Sequence, residues 1–413
     1  MLPHHREIIR ATVPALQAHG EAITQTFYRE MFRAHPELLN LFNPANQRNG
    51  GQARSLAASI LSYAANIEQL CQLSGMVERI AQKHASLEVL PEHYPIVGKH
   101  LLAAIGIVLG DAATPQVIEA WSAAYQQLAD IMIGRENELY TQAANQPGGW
   151  RGHKPFLVQR KVEESDSISS FYLVPKDGEP LPPFHSGQYV SLKFRIPGEQ
   201  YEGIRQYSLS HIWNEKFYRI SVKRELAPLN ANTAPAGLVS NHLHDEVQES
   251  DTVLVHIPQG DFVLNEESSR PVVLLSAGSG VTPALCMLQS LAQEVAERPV
   301  LFLYATTKRA HHAFGEEVRA IESRNPNIKA VIFYEEIAQD DVRGVHYDEI
   351  GRITPDALGP YLPSQQADYY YCGPVGFIAA MEAVLNRLKV PAACRHSEAF
   401  APDPSFLTEL AHI

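Results

Sequence analysis

The sequence predicts a multidomain chain: an all-α domain, then an antiparallel β-barrel, then an α/β domain built on a parallel sheet. Three observations predict it. Up to residue 145 the apolar residues recur every three or four positions, while Gly and β-branched runs are sparse. Short strands punctuated by Pro and Gly follow. From about Arg270 strands alternate with helices.

In the first part Ile8 to Ala18, Ala22 to Ala34, Gln52 to Ile67, Met76 to His84, Tyr94 to Val108 and Pro115 to Ala144 read as helices. Thr114 caps the last, and Pro115 suits its first position. Pro14 predicts a kink or a late start in the first. Gln146-Pro-Gly-Gly-Trp-Arg-Gly-His reads as a linker. Strands are then expected at Phe156 to Val162, Ser169 to Val174, Tyr189 to Phe194, Tyr207 to Ser210, Phe217 to Val222 and Thr252 to His256, forming an antiparallel barrel or sandwich. The last part has strands Pro271 to Ser276, Val300 to Ala305, Lys329 to Tyr334 and Asp368 to Cys372. Helices Pro283 to Ala296, Phe314 to Ser323 and Val375 to Leu388 separate or follow them, so the sheet is parallel and covered on both faces. The implied domains are 1–145, 153–264 and 265–413.

The 413 residues suffice for two or three domains, each with its own core. Apolar (45%) and charged (19%) fractions are ordinary for a globular chain and exclude a disordered one. A net charge of −12 argues against broad nucleic-acid binding and against a basic membrane-surface protein. The four cysteines are far apart with no CxxC pair, which fits a reducing compartment and excludes a zinc ribbon. The apolar stretch Leu101 to Leu109 is too short to span a bilayer, and Met1-Leu-Pro-His-His-Arg-Glu lacks the core of a signal peptide. The expectation is a cytoplasmic protein with no nucleic-acid partner and no membrane insertion.

In the last domain Ser276-Ala-Gly-Ser-Gly-Val-Thr-Pro follows an apolar strand and opens a helix. Glycines let backbone approach a pyrophosphate, and the helix N-terminus supplies free N–H groups. An ordinary tight turn has the same pattern. A second such turn, Tyr369-Tyr-Tyr-Cys-Gly-Pro-Val-Gly-Phe, strengthens the nucleotide reading, because two strand ends of one parallel sheet open onto one edge. Cys372 is either a small core residue or a pocket residue. In the barrel, Arg205-Gln-Tyr-Ser offers a phosphate partner and a flat ring. Gly187-Gln-Tyr-Val precedes it, and in Gly237-Leu-Val-Ser-Asn-His-Leu a helix N-terminus with Ser240 suits a second phosphate. Each occurs by chance; the ordered set does not.

That set, completed by Phe400, resembles the ferredoxin-reductase-like family over roughly residues 153 to 401. The resemblance implies FAD on the barrel, against Tyr189, Tyr207 and Phe400, with phosphate contacts from Arg205 and Ser240, and with Gln206 and Ser208 also among the cofactor-binding residues. It implies NAD(P)H on Gly278, Ser279, Gly280, Val281, Thr282 and Pro283, and on Cys372, Gly373 and Pro374. The sequence departs from the family at Ser397-Glu-Ala-Phe-Ala-Pro, where relatives usually flank the aromatic with Cys and Gly, and in a tail from Asp403 with no assigned role. Lys308 and Arg309 follow the second strand, where positive charge suits the 2′-phosphate of NADPH; a solvated loop pair is the alternative.

In the first domain Val77, Ile80, Ala81, His84 and Leu87 share a helix face, so His84 points where the core is. A lone His there is usually a satisfied core residue; the alternative is a ligand. Ile118, Trp121, Tyr125, Leu128 and Met132 form an apolar stripe that Glu136 continues, and a carboxylate on a buried stripe wants a partner. Tyr94 opens another helix. Tyr28 shares a face with Met31 and Phe32, and Gln52 with Leu56 and Ile60. The bland reading is amphipathic residues at the rim of a core.

Tyr28 and Phe42, Asn46-Gln-Arg-Asn-Gly-Gly-Gln, Ala81-Gln-Lys-His, Tyr94 and Arg135-Glu136 together resemble a bacterial globin over residues 1 to 145. Joined to the reductase, the whole chain resembles a flavohaemoglobin. The resemblance implies haem b with His84 as iron ligand, Glu136 accepting from its ring N–H and Tyr94 nearby. Tyr28 and Gln52 would donate to bound dioxygen, Leu56 would shape the cavity, Phe42 would pack on the haem and Lys83 would lie near the flavin edge. The implied activity is nitric oxide dioxygenation: a hydride from NAD(P)H to FAD, single electrons to haem, and reaction of bound O2 with NO to give nitrate. The alternatives are a haem-linked oxidase or peroxidase, perhaps acting on a lipid-like molecule, a redox or gas sensor, and a flavin reductase with a haem-free helical domain. O2 and NO are the expected partners of a monomer.

Overall fold

The computed structural model describes residues 1–413 except 43–46, 48–49, 228–235, 294–297, 363–365 and 401–413. The first domain is helical: α1 (Pro3–Ala11), α2 (Val13–Ala34), α3 (Gly51–Ala65), α4 (Ser74–Ser86), α5 (His93–Leu109) and α6 (Pro115–Asn145). The expected first helix is split. It breaks at Thr12, whose hydroxyl donates to the Ile9 carbonyl at 2.6 Å, and Pro14 falls in the first turn of α2, where its missing N–H costs nothing. No break follows at Ala18; α2 runs on through Gly20, where a Cβ would stand 3.5 Å from Ala57 of α3. Ile23, Phe27 and Met31 of α2, Ile60 and Tyr63 of α3, Leu101 and Ile105 of α5 and Trp121 of α6 share one core. By length and composition His93–Ala112 could cross a membrane, which corrects the shorter stretch read from the sequence. Here Leu101, Ala104 and Ile105 of that helix are packed into the helical core.

The second part is an antiparallel barrel: β1 (His153–Glu163), β2 (Ile168–Pro175), β3 (Tyr189–Phe194), β4 (Gly203–Ser208), β5 (Tyr218–Lys223) and β6 (Thr252–His256), with α7 (Leu238–Asp245) before β6. The order is β4-β3-β6-β1-β2-β5. Leu209, just past β4, bridges Ile220 of β5, and Ser210 N donates to Arg219 O at 2.8 Å, so the edges close on each other. Inward residues Phe156, Phe171, Val190, Leu192, Ile220 and Val255 fill the interior.

The third part is a parallel sheet in the order β10-β9-β8-β7-β11-β12. It contains β7 (Val272–Ala277), β8 (Val300–Thr306), β9 (Ile328–Tyr334), β10 (Glu349–Ile350), β11 (Asp368–Gly373) and β12 (Arg395–Ala399). The interleaved helices are α8 (Val281–Leu291), α9 (Gly315–Arg324), α10 (Pro355–Leu358) and α11 (Val375–Arg387). Val272 and Leu274 bury on one face, Val273 and Leu275 on the other, which is why β7 reads as an unbroken apolar run. The sequence reading missed β10 and β12. Arg395–Ala399 is only partly buried along its length, so no apolar face marks it as a strand. Chain order reverses at β7, between β8 and β11, and ligands of such sheets bind in the crevice that this reversal opens. Arg219 of β5, 4% exposed, pairs with Glu317 of α9 at 3.0 Å and ties barrel to sheet. Cys286, Cys372 and Cys394 are buried, Cys71 is exposed, and none forms a disulfide.

Candidate active site

His84 sits on α4 between the fully buried Ala81 and Ala85. Its Nδ1 lies 2.8 Å from Glu136 Oε1, and the Tyr94 hydroxyl donates to the same oxygen at 2.6 Å. Glu136 is 2% exposed, so the apolar stripe of α6 carries a carboxylate that finds both its donors inside the fold. Tyr125 donates to the Tyr94 carbonyl at 2.6 Å and holds that helix start in place. Burial, reinforced by Glu136, raises the Tyr94 hydroxyl above its ordinary range, so it stays a donor. With Glu136 as acceptor, the ring proton is on Nδ1 and the lone pair is on Nε2. A carboxylate-bound imidazole with a basic Nε2 is the donor set of an axial haem ligand, so the residues fit haem. Among the described residues no group of three or more His, Cys, Asp or Glu forms a separate metal site.

Tyr28 is 8% exposed, with its ring 5.7 Å from Phe32 and 5.8 Å from Phe42. Burial raises its hydroxyl, and a hydrogen bond from Gln52 partly offsets this. Gln47 donates to Gln52 Oε1 at 2.7 Å, so the Gln52 amide NH2 is what meets Tyr28, and the phenolic hydrogen remains to donate elsewhere. Leu56, one turn along α3, packs against the same core. Asn46, Arg48 and Asn49 of the quoted motif lie outside the described residues.

The other face of α4 meets the barrel. Arg79 pairs with Asp261 at 3.4 Å, Gln82 Oε1 accepts from Gly260 N at 3.0 Å, and Gln206 donates to Ser86 at 3.4 Å. Tyr189 also bonds Ser86. Lys83 keeps exposed surface yet is enclosed by the surrounding chain, which lowers its ammonium; Glu398 opposes this. Glu398 Oε2 is buried without a hydrogen-bond partner, and burial, reinforced by Asp261, pushes that carboxyl up to about 8. Sequence reasoning assigned no role to Arg79, Gln82, Ser86, Asp261 or Glu398. Of these, only Gln82 and Glu398 lay in quoted motifs, and their partners are far away in the chain.

Tyr189 of β3 stands opposite Ser208 of β4, and Val190 opposite Tyr207, so the GQY and RQYS motifs pair side by side. The Arg205 guanidinium is half-buried, donates to the adjacent Ile204 carbonyl at 2.7 Å and has no acidic partner among the described residues. Burial therefore lowers its basicity. A half-buried cation with no acidic partner among the described residues fits the phosphates of a flavin dinucleotide. Ser240 differs from expectation. Its hydroxyl donates to Gly237 O at 3.1 Å and accepts from Glu225 N at 3.2 Å, so it is spent holding the start of α7 rather than turned outward.

The two glycine turns meet at the carboxyl edge of the parallel sheet. Gly278 has φ +54, and a Cβ on Gly280 would stand 2.0 Å from the Cys372 carbonyl oxygen and 2.7 Å from Gly373 N. Val281, Thr282 and Pro283 begin α8, buried beneath the turn, with Thr282 donating to Ser279 O at 3.0 Å. Pro374 caps α11. The arrangement brings two helix N-termini to one crevice, and a dinucleotide fits it. Phe400 follows β12 and is 49% exposed. Arg309, one of the two charges considered for the 2′-phosphate, pairs with Asp340 at 3.3 Å and lies 4.0 Å from Asp341 in an exposed position. Lys308 is exposed.

An imidazole–carboxylate haem site on one face of α4 and a flavin-type barrel on the other define a haem–flavin oxidoreductase. A globin family model matches residues 25–132, and an oxidoreductase NAD-binding domain model matches residues 274–383. The chain is 55% identical over 406 residues to a flavohemoprotein of Deinococcus radiodurans, covering 98% of each. It is 44% identical over 400 residues to one from Bacillus subtilis, covering 97% of each. A crystal structure of flavohemoglobin from Malassezia yamatoensis with bound FAD and heme superposes with a TM-score of 0.82 at 28% identity, covering 97% of this chain and 99% of that one. The FAD/NAD-binding domain of a nitric oxide dioxygenase from Vibrio cholerae matches with a TM-score of 0.53 at 35% identity, covering 60% of this chain and 99% of that one. The chain belongs to the flavohemoprotein (flavohaemoglobin) family. It is an NAD(P)H-dependent oxidoreductase whose cofactors are haem, FAD and the nicotinamide nucleotide.

Proposed function

We propose that this oxidoreductase is a nitric oxide dioxygenase that combines NO with O2 to give nitrate, as a cytoplasmic monomer acting on small molecules. The observation that carries the reading is Tyr28: a buried hydroxyl kept protonated, met by Gln52 and left with its hydrogen to give. With haem in place, such a donor would stabilise negative charge developing on dioxygen beside it. The relative from Vibrio cholerae bears the activity in its name. When bound, flavin divides the two electrons of a hydride and haem uses them singly, so one NAD(P)H serves two NO and two O2.

The chain's own residues do the rest. His84 supplies the Nε2 ligand, while Glu136 and Tyr94 fix its tautomer and increase its basicity. Phe42 and Leu56 line the apolar side. Tyr189, Arg205, Gln206, Tyr207, Ser208 and Phe400 hold the flavin, with Lys83 at its edge toward the haem domain. Gly278 to Pro283 and Cys372 to Pro374 hold the nicotinamide nucleotide.

The test is NADH oxidation by the haem-loaded protein in air, with and without a pulse of NO. Fast NO loss with matching nitrate is expected. Negligible NO turnover beside a clear Soret band overturns the reading and favours the oxidase, whose peroxide reaction the carboxylate–imidazole pair also suits.

A further inference from the structure

Glu88 is the fourth residue past His84, in the loop that leaves α4, and it is one of four non-glycine residues with a left-handed backbone among those described (φ +59). Such a conformation persists where the surroundings enforce it. Here the end of α4 supplies it: Glu88 N donates to Ala85 O at 3.1 Å and Val89 N to His84 O at 3.0 Å, and the side chain so projected is held by the barrel. Glu88 Oε2 lies 2.8 Å from His153 Nδ1, at the first residue of β1, and 3.3 Å from Lys193 Nζ on β3. His153 is 4% exposed at its side chain and Lys193 22%, so the partners are largely withdrawn from water. The carboxylate also lies against Gly152, whose φ is +76 and whose added Cβ would stand 2.6 Å from Glu88 Oε1. His153 first, then Lys193, holds the Glu88 carboxyl down to about 2. This stabilisation is present above the ordinary carboxylate range and is lost only as pH falls through that value. On the haem side, Leu87 N and Val89 N both donate to the His84 carbonyl, at 3.1 and 3.0 Å. The pinned loop is thus bonded directly to the backbone of the haem ligand.

We propose that Glu88, seated on His153 and Lys193, is the positioning residue that docks the haem domain on the flavin barrel and so sets the rate of electron passage from flavin to haem. The other contacts across this junction are weaker in kind. Arg79 with Asp261 is half-exposed, Gln82 and Asn40 make single neutral hydrogen bonds, and Ser86 makes neutral ones to Gln206 and Tyr189. The proposal needs only electron flow between the two cofactors and is independent of the oxidant.

The experiment is anaerobic stopped-flow of the full-length holoenzyme with NADH, following flavin bleaching and haem reduction separately. In Glu88→Gln and in Lys193→Met, flavin bleaching stays at the wild-type rate, which also shows that each variant is folded. Haem reduction slows roughly tenfold as the docked fraction falls. Lys193→Arg restores it. Limited proteolysis of the 146–152 linker in the same holoenzymes proceeds faster in the first two variants than in wild type. A wild-type rate of haem reduction in either variant, an equal slowing of both steps, or unchanged linker cleavage each overturns the proposal.

Discussion

Around His84 the chain adds side chains, and at the ends of β7 and β11 it removes them. The haem-side site depends on two groups, from α4 and α5, that converge on one carboxylate oxygen of α6. The nucleotide-side site depends on Gly280 having nothing to present, because a Cβ there would strike the Cys372 carbonyl. A metal ligand needs its tautomer and direction fixed by neighbours. A pyrophosphate needs bare backbone N–H groups within reach. One site fails by losing an atom, the other by gaining one.

Substitutions can break this contrast in graded steps. The largest effect is expected from His84→Ala: no haem retained and no Soret band, with FAD still bound and still reduced by NADH. Gly280→Ala should do the opposite. The added methyl meets main chain that cannot move away, at a cost of about 1–3 kcal/mol. NADH-driven flavin bleaching should collapse while the Soret band stays. Glu136→Gln keeps an acceptor but removes its charge, and should lower haem affinity or turnover roughly 10- to 100-fold, read by haem transfer to apomyoglobin and by NO consumption. Tyr28→Phe should speed O2 dissociation about tenfold, the worth of one hydrogen bond to a charged group, measured by flash photolysis. The smallest change is expected from Asp340→Ala. Freeing Arg309 from an exposed pair should lower the KM for NADPH by about two- to threefold relative to NADH.

The contrast also governs what the sequence revealed. Glycine turns between an apolar strand and a helix are local, so Gly278 to Pro283 and Cys372 to Pro374 were readable as ligand loops. Glu136 was readable as an oddity, a charge on the Trp121–Met132 stripe, though its partner His84 is 52 residues away and no spacing rule joins them. The resemblance to globins joined them. The strand Arg395–Ala399 escaped because an edge strand with no buried face leaves no period to read. The Arg309–Asp340 pair and the Glu88–His153 pair escaped because each is made by tertiary folding alone, across 31 and 65 positions.

Three of the four cysteines lie out of solvent, and for two of them burial has a chemical consequence. The Cys286 thiol is pushed up to about 11 and the Cys372 thiol well above its ordinary value. The thiolate is the form that nitrosating and oxidising agents attack, and at neutral pH Cys286 holds roughly one part in ten thousand as thiolate, while burial disfavours the Cys372 thiolate in the same direction. The sulfur beside the nucleotide crevice is therefore chemically quiet. Burial thus shields the sulfurs of this haem–flavin oxidoreductase, and Cys71 is left as the accessible thiol.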